Sequence, residues 1–309
     1  MSALTNDTIK TAVTDWVTDP TQAQFTDNTN TPYYGHISNW NTSAVTDMYR
    51  LFYNKTTFNE NISNWDVSNV TSMKEVFRGA SAFNGNIGSW NVSSVTTMNG
   101  MFYQASVFNQ DISGWDVSNV TDMRSMFYSA SVFNNGDSGN NQAKSLNNWD
   151  VSKVTDMSIM FNNALAFNQD ISGWDVSSVT DMDGMFSMTS GTSVFNQNIS
   201  GWDVSSVTSM RYMFNSNTIF DQSTISNWNT VSVTVSEDNN VHGYFSMFVS
   251  ATKMLNYFQA TPSGADFSIP TSLEEELAAI DNNDTAAVAS LSDTSNHKKR
   301  LAIALAKLV

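Results

Sequence analysis

Apolar side chains recur along most of the chain with a fixed period. Tryptophan sets the pattern, and the steps between successive members are 25, 25, 25, 34, 25, 28 and 26 residues in the series Trp40, Trp65, Trp90, Trp115, Trp149, Trp174, Trp202 and Trp228. Aligned on tryptophan, the unit reads W-[DN]-V-S-x-V-T-x-M-x-x-[ML]-F-x-x-A-x-x-F-N-x-x-I-S-x. A period of this size with fixed apolar positions is typical of repeat proteins whose units stack into a solenoid.

Each half of the unit predicts a different local structure. The segment W-D-V-S and V-T alternates apolar and polar residues, as a half-buried strand does. The segment M-x-x-M-F-x-x-A spaces apolar residues by three and four, which predicts one helical or 3₁₀ turn. We therefore predict an α/β fold, a right-handed, leucine-rich-repeat-like solenoid of about 25 residues per coil. Parallel strands form one face, short helical turns lie opposite, and helices cap both ends.

The pattern divides the chain into three segments. Residues 1–36 are predicted to form an N-terminal helical cap, residues 37–261 the solenoid with seven clear repeats and a degenerate eighth, and residues 262–309 a C-terminal helical cap or assembly tail. Four apolar residues fall on one face of the first predicted helix: Ile9, Val13, Trp16 and Val17. The last predicted helix begins with a cluster of cations, Lys298, Lys299 and Arg300. Because cations are disfavoured at a helix N-terminus, this tail is expected to meet the acidic repeats or an acidic partner.

Composition narrows the classes of function. The 14 lysines and arginines face 29 aspartates and glutamates, so the net charge is -15 and the pI is near 4.3. Such a chain repels phosphates and anionic lipid headgroups, which argues against binding of nucleic acid or of a membrane surface. No apolar stretch approaches the length of a membrane span. The N-terminus shows no basic segment followed by an apolar run, so no signal peptide is visible.

Catalytic chemistry has little support in the sequence. Cysteine is absent, and the three histidines, His36, His242 and His297, are far apart and have no catalytic or metal-ligand spacing around them. The tryptophan and methionine columns are interpreted as core, rather than as a carbohydrate platform or a metal site, because their neighbours alternate as core residues do. We predict a protein that is not an enzyme and needs no cofactor.

Three polar columns repeat with the core. An asparagine follows the second phenylalanine of successive units and predicts a structural ladder that pairs with the backbone of the next coil: Asn59, Asn84, Asn109, Asn134, Asn168 and Asn196. An exposed threonine column, Thr46 to Thr208, fits β-propensity or, alternatively, an ice- or mineral-binding array. An aspartate column, Asp66 to Asp203, is interpreted as turn caps, with Ca²⁺ binding as the alternative.

A fourth column carries the candidate binding residues. The residue after the first phenylalanine is Tyr53, Arg78, Tyr103 and Tyr128 in four successive units, and it becomes Asn or Ser in later ones. Tyrosine and arginine are enriched at interfaces, so these four residues predict an interaction patch in the N-terminal half, against the alternative of ordinary surface variation.

The unit F-N-x-x-I-S-x-W-D-V-S-x-V-T-x-M-x-x-M-F-x-x-A resembles the BspA-like leucine-rich-repeat surface-protein family, known for a mycoplasma lipoprotein-type repeat. The resemblance covers about residues 37 to 228, with a fainter copy to 258. It implies a non-enzymatic protein displayed on a cell surface, in the extracellular space or on a particle, where it mediates adhesion or recognition of a protein or glycan. The alternative is a structural or decoration component of a virion or surface layer, assembled through residues 262–309.

Overall fold

Successive repeats lie on one another in register. The computed structural model of the chain describes residues 3–20, 35–137, 145–189, 191–222, 225, 228–230 and 232–233. Each repeat forms one coil, and we number coils 1 to 7 from the tryptophans Trp40, Trp65, Trp90, Trp115, Trp149, Trp174 and Trp202. Equivalent backbone groups of neighbouring coils pair at each step, so the stack repeats its hydrogen bonds together with its sequence.

Backbone pairing between coils is concentrated in one segment, which we name the turn ribbon: the eight residues that begin at the first methionine of each coil. In coil 2 (residues 73–80), alternate N–H groups donate to carbonyl oxygens of coil 3 at 2.7 to 3.0 Å, from Met73, Glu75, Phe77 and Gly79. The residues between them donate to the carbonyl three positions back at 3.0 to 3.4 Å, namely Val76, Arg78 and Ala80. The ribbon is thus a run of overlapping β-turns that pairs both with itself and with the next coil.

Left-handed backbone conformations bend the ribbon. Positive φ occurs ten residues after the tryptophan of each coil, at Arg50, Glu75, Gly100, Ser125, Ile159, Gly184 and Tyr212. It occurs again four residues later, at Asn54, Gly79, Gln104, Ser129, Asn163 and Ser216. Most L-residues are strained there. A chain that changes handedness every few residues cannot continue as a strand or a helix.

The predicted α/β solenoid, with parallel strands on one face and helical turns opposite, is wrong. In the described residues, regular structure is limited to helix α1 (Asn6–Thr18) and two 3₁₀ helices, Ile37–Asn39 and Leu146–Asn148. Parallel pairing there amounts to isolated bridges of one residue per coil, with no sheet, at Asp47, Ser72, Thr97, Asp122, Asp156, Asp181 and Ser209. No leucine-rich-repeat strand face is therefore seen in this part of the chain.

The alternation in W-D-V-S has a different origin from a strand. In coil 2 the Asp66 carboxylate accepts hydrogen bonds from the backbone N–H and the hydroxyl of Ser68, at 3.0 and 2.6 Å. The N–H of Val70 then donates to the carbonyl of Val67 at 2.9 Å. Two successive turns thus bury Val67 and Val70 and expose Asp66, which reproduces the polarity pattern of a strand.

Helix α1 covers the start of the stack. Its capping box joins Thr5 and Thr8, and its buried face packs Trp16 edge-on against Trp40 at 6.1 Å between ring centroids. In later coils the threonine N–H donates to the threonine carbonyl of the preceding coil. Coil 1 has no preceding coil, and the side-chain oxygen of Asn6 accepts from Thr46 N–H at 2.8 Å instead. The predicted C-terminal helix, the tail at 262–309 and the eighth repeat lie outside the described residues.

The core is a set of aromatic columns. Phenylalanines of one column stack on their counterparts at 5.3 to 5.8 Å between ring centroids, in the order Phe52, Phe77, Phe102, Phe127, Phe161, Phe186 and Phe214. The repeat tryptophans are buried. From Trp65 onward each indole N–H donates to the carbonyl of the isoleucine or leucine three residues before the preceding tryptophan of the series, as Trp90 does to Ile62 at 3.1 Å. Adding a coil therefore extends every column at once.

Candidate interaction surface

Three of the four predicted binding residues form one continuous stack. The guanidinium carbon of Arg78 lies 3.8 Å from the centroid of the Tyr103 ring, and the Tyr103 and Tyr128 rings stack at 4.3 Å with planes 6° apart. The fourth, Tyr53, lies in coil 1, where the guanidinium of Arg50 sits 4.8 Å from its ring centroid. Arginine over an aromatic face is a favourable cation–π arrangement.

A buried carboxylate joins the two parts of this surface. Glu75 contacts Arg50 through one oxygen, and its other oxygen accepts a hydrogen bond from Arg78 at 3.2 Å. The Glu75 side chain is 8% exposed, against 47% for Arg50 and 31% for Arg78. The carboxylate thus fixes both guanidinium groups from below while their outer edges face solvent.

We name the resulting surface the Tyr–Arg stripe: Tyr49, Arg50, Tyr53, Glu75, Arg78, Tyr103 and Tyr128. Tyr49 joins it because the Arg50 guanidinium also lies 5.0 Å from the Tyr49 ring. Burial raises the pKa of Tyr103, and its neighbour Tyr128 raises that pKa further, whereas Arg78 lowers it. The stripe extends from coil 1 to coil 4, and all its residues belong to the turn ribbons of these coils.

The sequence prediction missed Tyr49, Arg50 and Glu75. Arg50 and Glu75 occupy the same position of successive units, 25 residues apart, with opposite charge. A search for opposite charges one period apart would have found this pair. In coils 5 and 6 the stripe column holds Asn162 and Ser187, both of which are buried.

The predicted asparagine residues bond from coil to coil. The side-chain oxygen of each accepts the backbone N–H of its counterpart in the next coil at 2.8 to 3.0 Å, through Asn59, Asn84, Asn109, Asn134, Asn168 and Asn196, with Asp221 as the last donor. Glutamine side chains add a second bond at several steps, as Gln169 does to Asn134 at 3.2 Å. This series lies on a different part of the coil from the Tyr–Arg stripe.

The threonine column is exposed and its hydroxyls are oriented by the backbone. Thr71, for example, donates its hydroxyl to the carbonyl of Thr46 at 3.2 Å, and the same bond recurs along the column. The adjacent column is half-buried and mixes Asp, Ser and Thr. The structure thus places one threonine row on this face, without a matching second row beside it in the described coils.

The aspartate column caps turns. Hydroxyl and backbone N–H groups of the serine two residues on lower the pKa of Asp66, Asp116, Asp150 and Asp203. Asn91 accepts the same two bonds in coil 3, from Ser93 at 3.2 and 2.7 Å. The interpretation as turn caps is confirmed by these contacts. Among the residues the structure describes, no group of three or more His, Asp or Glu side chains could hold a metal ion.

Two further arginines pair with carboxylates of a neighbouring coil. Arg211 donates to Asp183 through its Nε at 2.7 Å, and Arg124 lies 3.9 Å from Asp156 while donating to Ser158 at 2.8 Å. Burial raises the pKa of Asp181; the hydrogen bond from the Asp183 backbone opposes this rise, whereas the charges of the Asp183 and Asp156 carboxylates add to it. None of the helices that the structure describes is long and apolar enough to cross a membrane.

Comparison with known proteins identifies a family, and the match lies in the repeat region of the chain. No curated protein and no solved structure matches the chain. A family model described as "Mycoplasma protein of unknown function, DUF285" matches residues 21–140 and again residues 137–260. Together these matches cover the stripe, the asparagine series and the aromatic columns. The chain therefore belongs to the DUF285 family of repeat proteins.

Proposed function

We propose that this protein is a non-enzymatic recognition protein, displayed on a cell or particle surface, that binds a protein or glycan ligand through the Tyr–Arg stripe. The observation that carries the proposal is the stripe itself, in which seven side chains from four coils contact one another in an unbroken series. Tyrosine and arginine are the residues that most often dominate binding energy at interfaces.

The stripe is held in place before any ligand arrives. Arg78 is fixed by Glu75 and by the Tyr103 ring, and Tyr103 is fixed in turn by Tyr128. Side chains that are already ordered lose little conformational entropy on binding, which favours affinity. The core below does not require these residues, because Asn162, Ser187 and Asn215 occupy the same column in coils 5 to 7.

The polar groups of the stripe support binding rather than catalysis. Both oxygens of Glu75, the one carboxylate in the stripe, are engaged by arginines. A carboxylate held this way is a poor general base, because it must give up a charge-assisted contact to accept a proton. Family membership supports the surface address, since the repeat resembles that of BspA-like surface proteins.

The proposal can be tested by exchanging the stripe for residues that the same column already carries. The variant Tyr53→Asn, Arg78→Ser, Tyr103→Asn, Tyr128→Asn copies the column of coils 5 to 7. A matched control changes four exposed threonines, Thr46, Thr71, Thr96 and Thr121, to serine. Beads coated with each chain are applied to panels of immobilised glycans and extracellular proteins.

We expect the wild-type chain and the threonine control to bind the same panel members, and the stripe variant to lose that binding. Thermal unfolding of all three chains checks that the stripe variant remains folded. Equal binding by the stripe variant, or wild-type binding no greater than that of uncoated beads, contradicts the proposal. Loss in the threonine control alone would assign recognition to the threonine column.

A further inference from the structure

The charge of the stripe is opposite to that of the chain. Four of the 14 lysines and arginines lie between residues 50 and 78, at Arg50, Lys55, Lys74 and Arg78, although the net charge of the chain is -15. The same stretch carries three carboxylates, Glu60, Asp66 and Glu75, of which only Glu75 lies in the turn ribbons of coils 1 and 2. The stripe itself thus holds two arginines and one glutamate. At physiological ionic strength charges further than about 8 Å away are largely screened, so a ligand on the stripe meets this local positive charge.

Both faces of the central tyrosine ring of the stripe, Tyr103, are already covered. One face of Tyr103 carries the Arg78 guanidinium at 3.8 Å and the other carries the Tyr128 ring at 4.3 Å. A sugar ring or an aromatic side chain cannot stack on a face that is occupied. The centre of the stripe therefore meets a ligand with the edges of the Tyr103 ring and of the Arg78 guanidinium, which present hydroxyl and N–H groups.

The backbone N–H groups of the stripe residues are also engaged in hydrogen bonds. Glu75 and Phe77 donate their N–H groups to coil 3, and Arg78 donates to the carbonyl of Glu75. An extended peptide that adds to a sheet edge needs free backbone groups. The exposed large apolar side chains of the described residues, Val107, Val132, Val194 and Tyr212, lie outside the stripe, so the stripe offers none of them as a contact for an apolar peptide anchor.

Together, these features fit a ligand that carries both acid groups and hydroxyls. We infer that the stripe binds a carboxylate-bearing polysaccharide, a polyuronate, whose acid groups pair with Arg50 and Arg78 and whose hydroxyls bond to Tyr53, Tyr103 and Tyr128; this inference rests on the proposed recognition function. A guanidinium presents its donors in one plane, which matches a planar carboxylate. Arg78 is held in place by the Tyr103 ring and by its hydrogen bond to Glu75.

The test uses the full chain and immobilised polygalacturonate, with dextran, dextran sulfate and duplex DNA as comparison surfaces at physiological salt. A second stripe variant, used only in this test, carries Arg50→Gly, Glu75→Gly and Arg78→Ser. These residues occur in the same columns at Gly100, Gly184 and Ser187. Glycine also suits the positive φ of the first two sites. The control Arg124→Asn, Arg211→Asn copies Asn99 of its own column.

We expect the wild type to bind polygalacturonate in preference to the other three surfaces. The second stripe variant should lose about 10- to 100-fold in affinity for polygalacturonate, because it removes charge-assisted hydrogen bonds to the ligand. The control removes two positive charges, and the second stripe variant lowers the net charge by only one, so general electrostatics predicts the larger loss for the control. We expect the control to stay within about twofold of wild type.

Several results would overturn the inference. Equal binding of dextran would show that acid groups are not read, and equal binding of dextran sulfate or DNA would show a general polyanion site. A larger loss in the control would show that net charge alone matters. If the stripe bound a protein and did not bind polygalacturonate, the polyuronate assignment would be refuted, whereas the proposed recognition function would still hold. No stripe-dependent binding of any surface or panel member would sink both.

Discussion

Coils 1 to 4 and coils 5 to 7 share one core and differ at one edge. The phenylalanine, methionine and tryptophan columns are buried in both halves, and the phenylalanine rings stack at 5.5 Å in the first half and 5.6 Å in the second. The stripe column changes from Tyr53, Arg78, Tyr103 and Tyr128 to small polar residues, two of them buried. The comparison separates the residues that build a coil from those that the coil displays.

The difference also separates the positions that stacking requires from those that it leaves free to vary. A residue needed for stacking has to appear in both halves, because every coil makes the same bonds to its neighbours. A residue that appears in one half only is free of that requirement. The Tyr–Arg stripe meets this criterion, whereas the asparagine and aspartate columns continue into the second half.

The largest expected effect tests the equivalence of the two cores. Phe102→Ala and Phe186→Ala each remove a buried ring that stacks on its counterparts in both neighbouring coils. Each should lower the free energy of unfolding by about 3 to 5 kcal/mol in urea denaturation. Exposed Val107→Ala is the control and should stay within about 0.5 kcal/mol. Markedly unequal losses in the two halves would show that the cores are not interchangeable.

The asparagine series should show the next largest effect. Asn109→Ala in the first half removes the side-chain oxygen that accepts the N–H groups of Asn134 and Gly136. Asn168→Ala in the second half removes the oxygen that accepts the N–H group of Asn196. Each substitution should cost about 1 to 3 kcal/mol in the same assay.

Asn69→Ala provides the control for this series. Its exposed side chain bonds to Ser43, and Ala44 already occupies that column in coil 1. We expect a loss below about 0.5 kcal/mol. If Asn109→Ala costs no more than this control, the series contributes nothing beyond an exposed hydrogen bond.

Glycines at the first left-handed position sharpen the comparison further. Gly100→Ala and Gly184→Ala both place a side chain at positive φ, which costs about 1 to 2 kcal/mol. The added Cβ would lie 3.2 Å from Cγ of Glu75 in the first case, but only 2.9 Å from a methyl group of Ile159 in the second. We expect the second-half variant to lose more in thermal unfolding. Gly114→Ala, whose added Cβ would lie 4.0 Å from the Gly88 carbonyl oxygen and whose φ is not positive, should be nearly neutral.

Acid titration should produce the smallest effect and the same one in both halves. The folded-state pKa of Asp66, Asp116, Asp150 and Asp203 is lowered by the serine caps. Their stabilisation is therefore complete above the unfolded pKa near 4 and is lost as pH falls through the folded value. A variant with all four changed to Asn, as in Asn91, should show a shallower fall of melting temperature between pH 5 and pH 3. An equally steep fall would assign acid sensitivity to other groups.

Burial could be predicted from the sequence, and local conformation could not. Val67, Val70 and Met73 are buried as the period predicts. The strand prediction was wrong because an Asp–Ser turn produces the same polar alternation as a strand. Positive φ at Arg50, Glu75 and Ile159 carries no residue-type signal, since these side chains do not favour it. The inter-coil hydrogen bonds of the ribbon impose it.

The candidate site was predictable in part for a similar reason. Tyr53, Arg78, Tyr103 and Tyr128 stand out because one column can be followed through successive units. Arg50 and Glu75 belong to a neighbouring column, and only the fold shows that both columns converge on one edge. A search of each column by itself therefore finds the tyrosines but misses the ion pair that orients them.

The identical backbone pairing at every step gives the protein a modular length. If one whole unit were deleted, the coils on either side would present to each other the same donors and acceptors that they already use. Copy number can thus change by duplication or loss of a unit without redesign of the interior. What such an event alters is the number of coils on either side of the Tyr–Arg stripe.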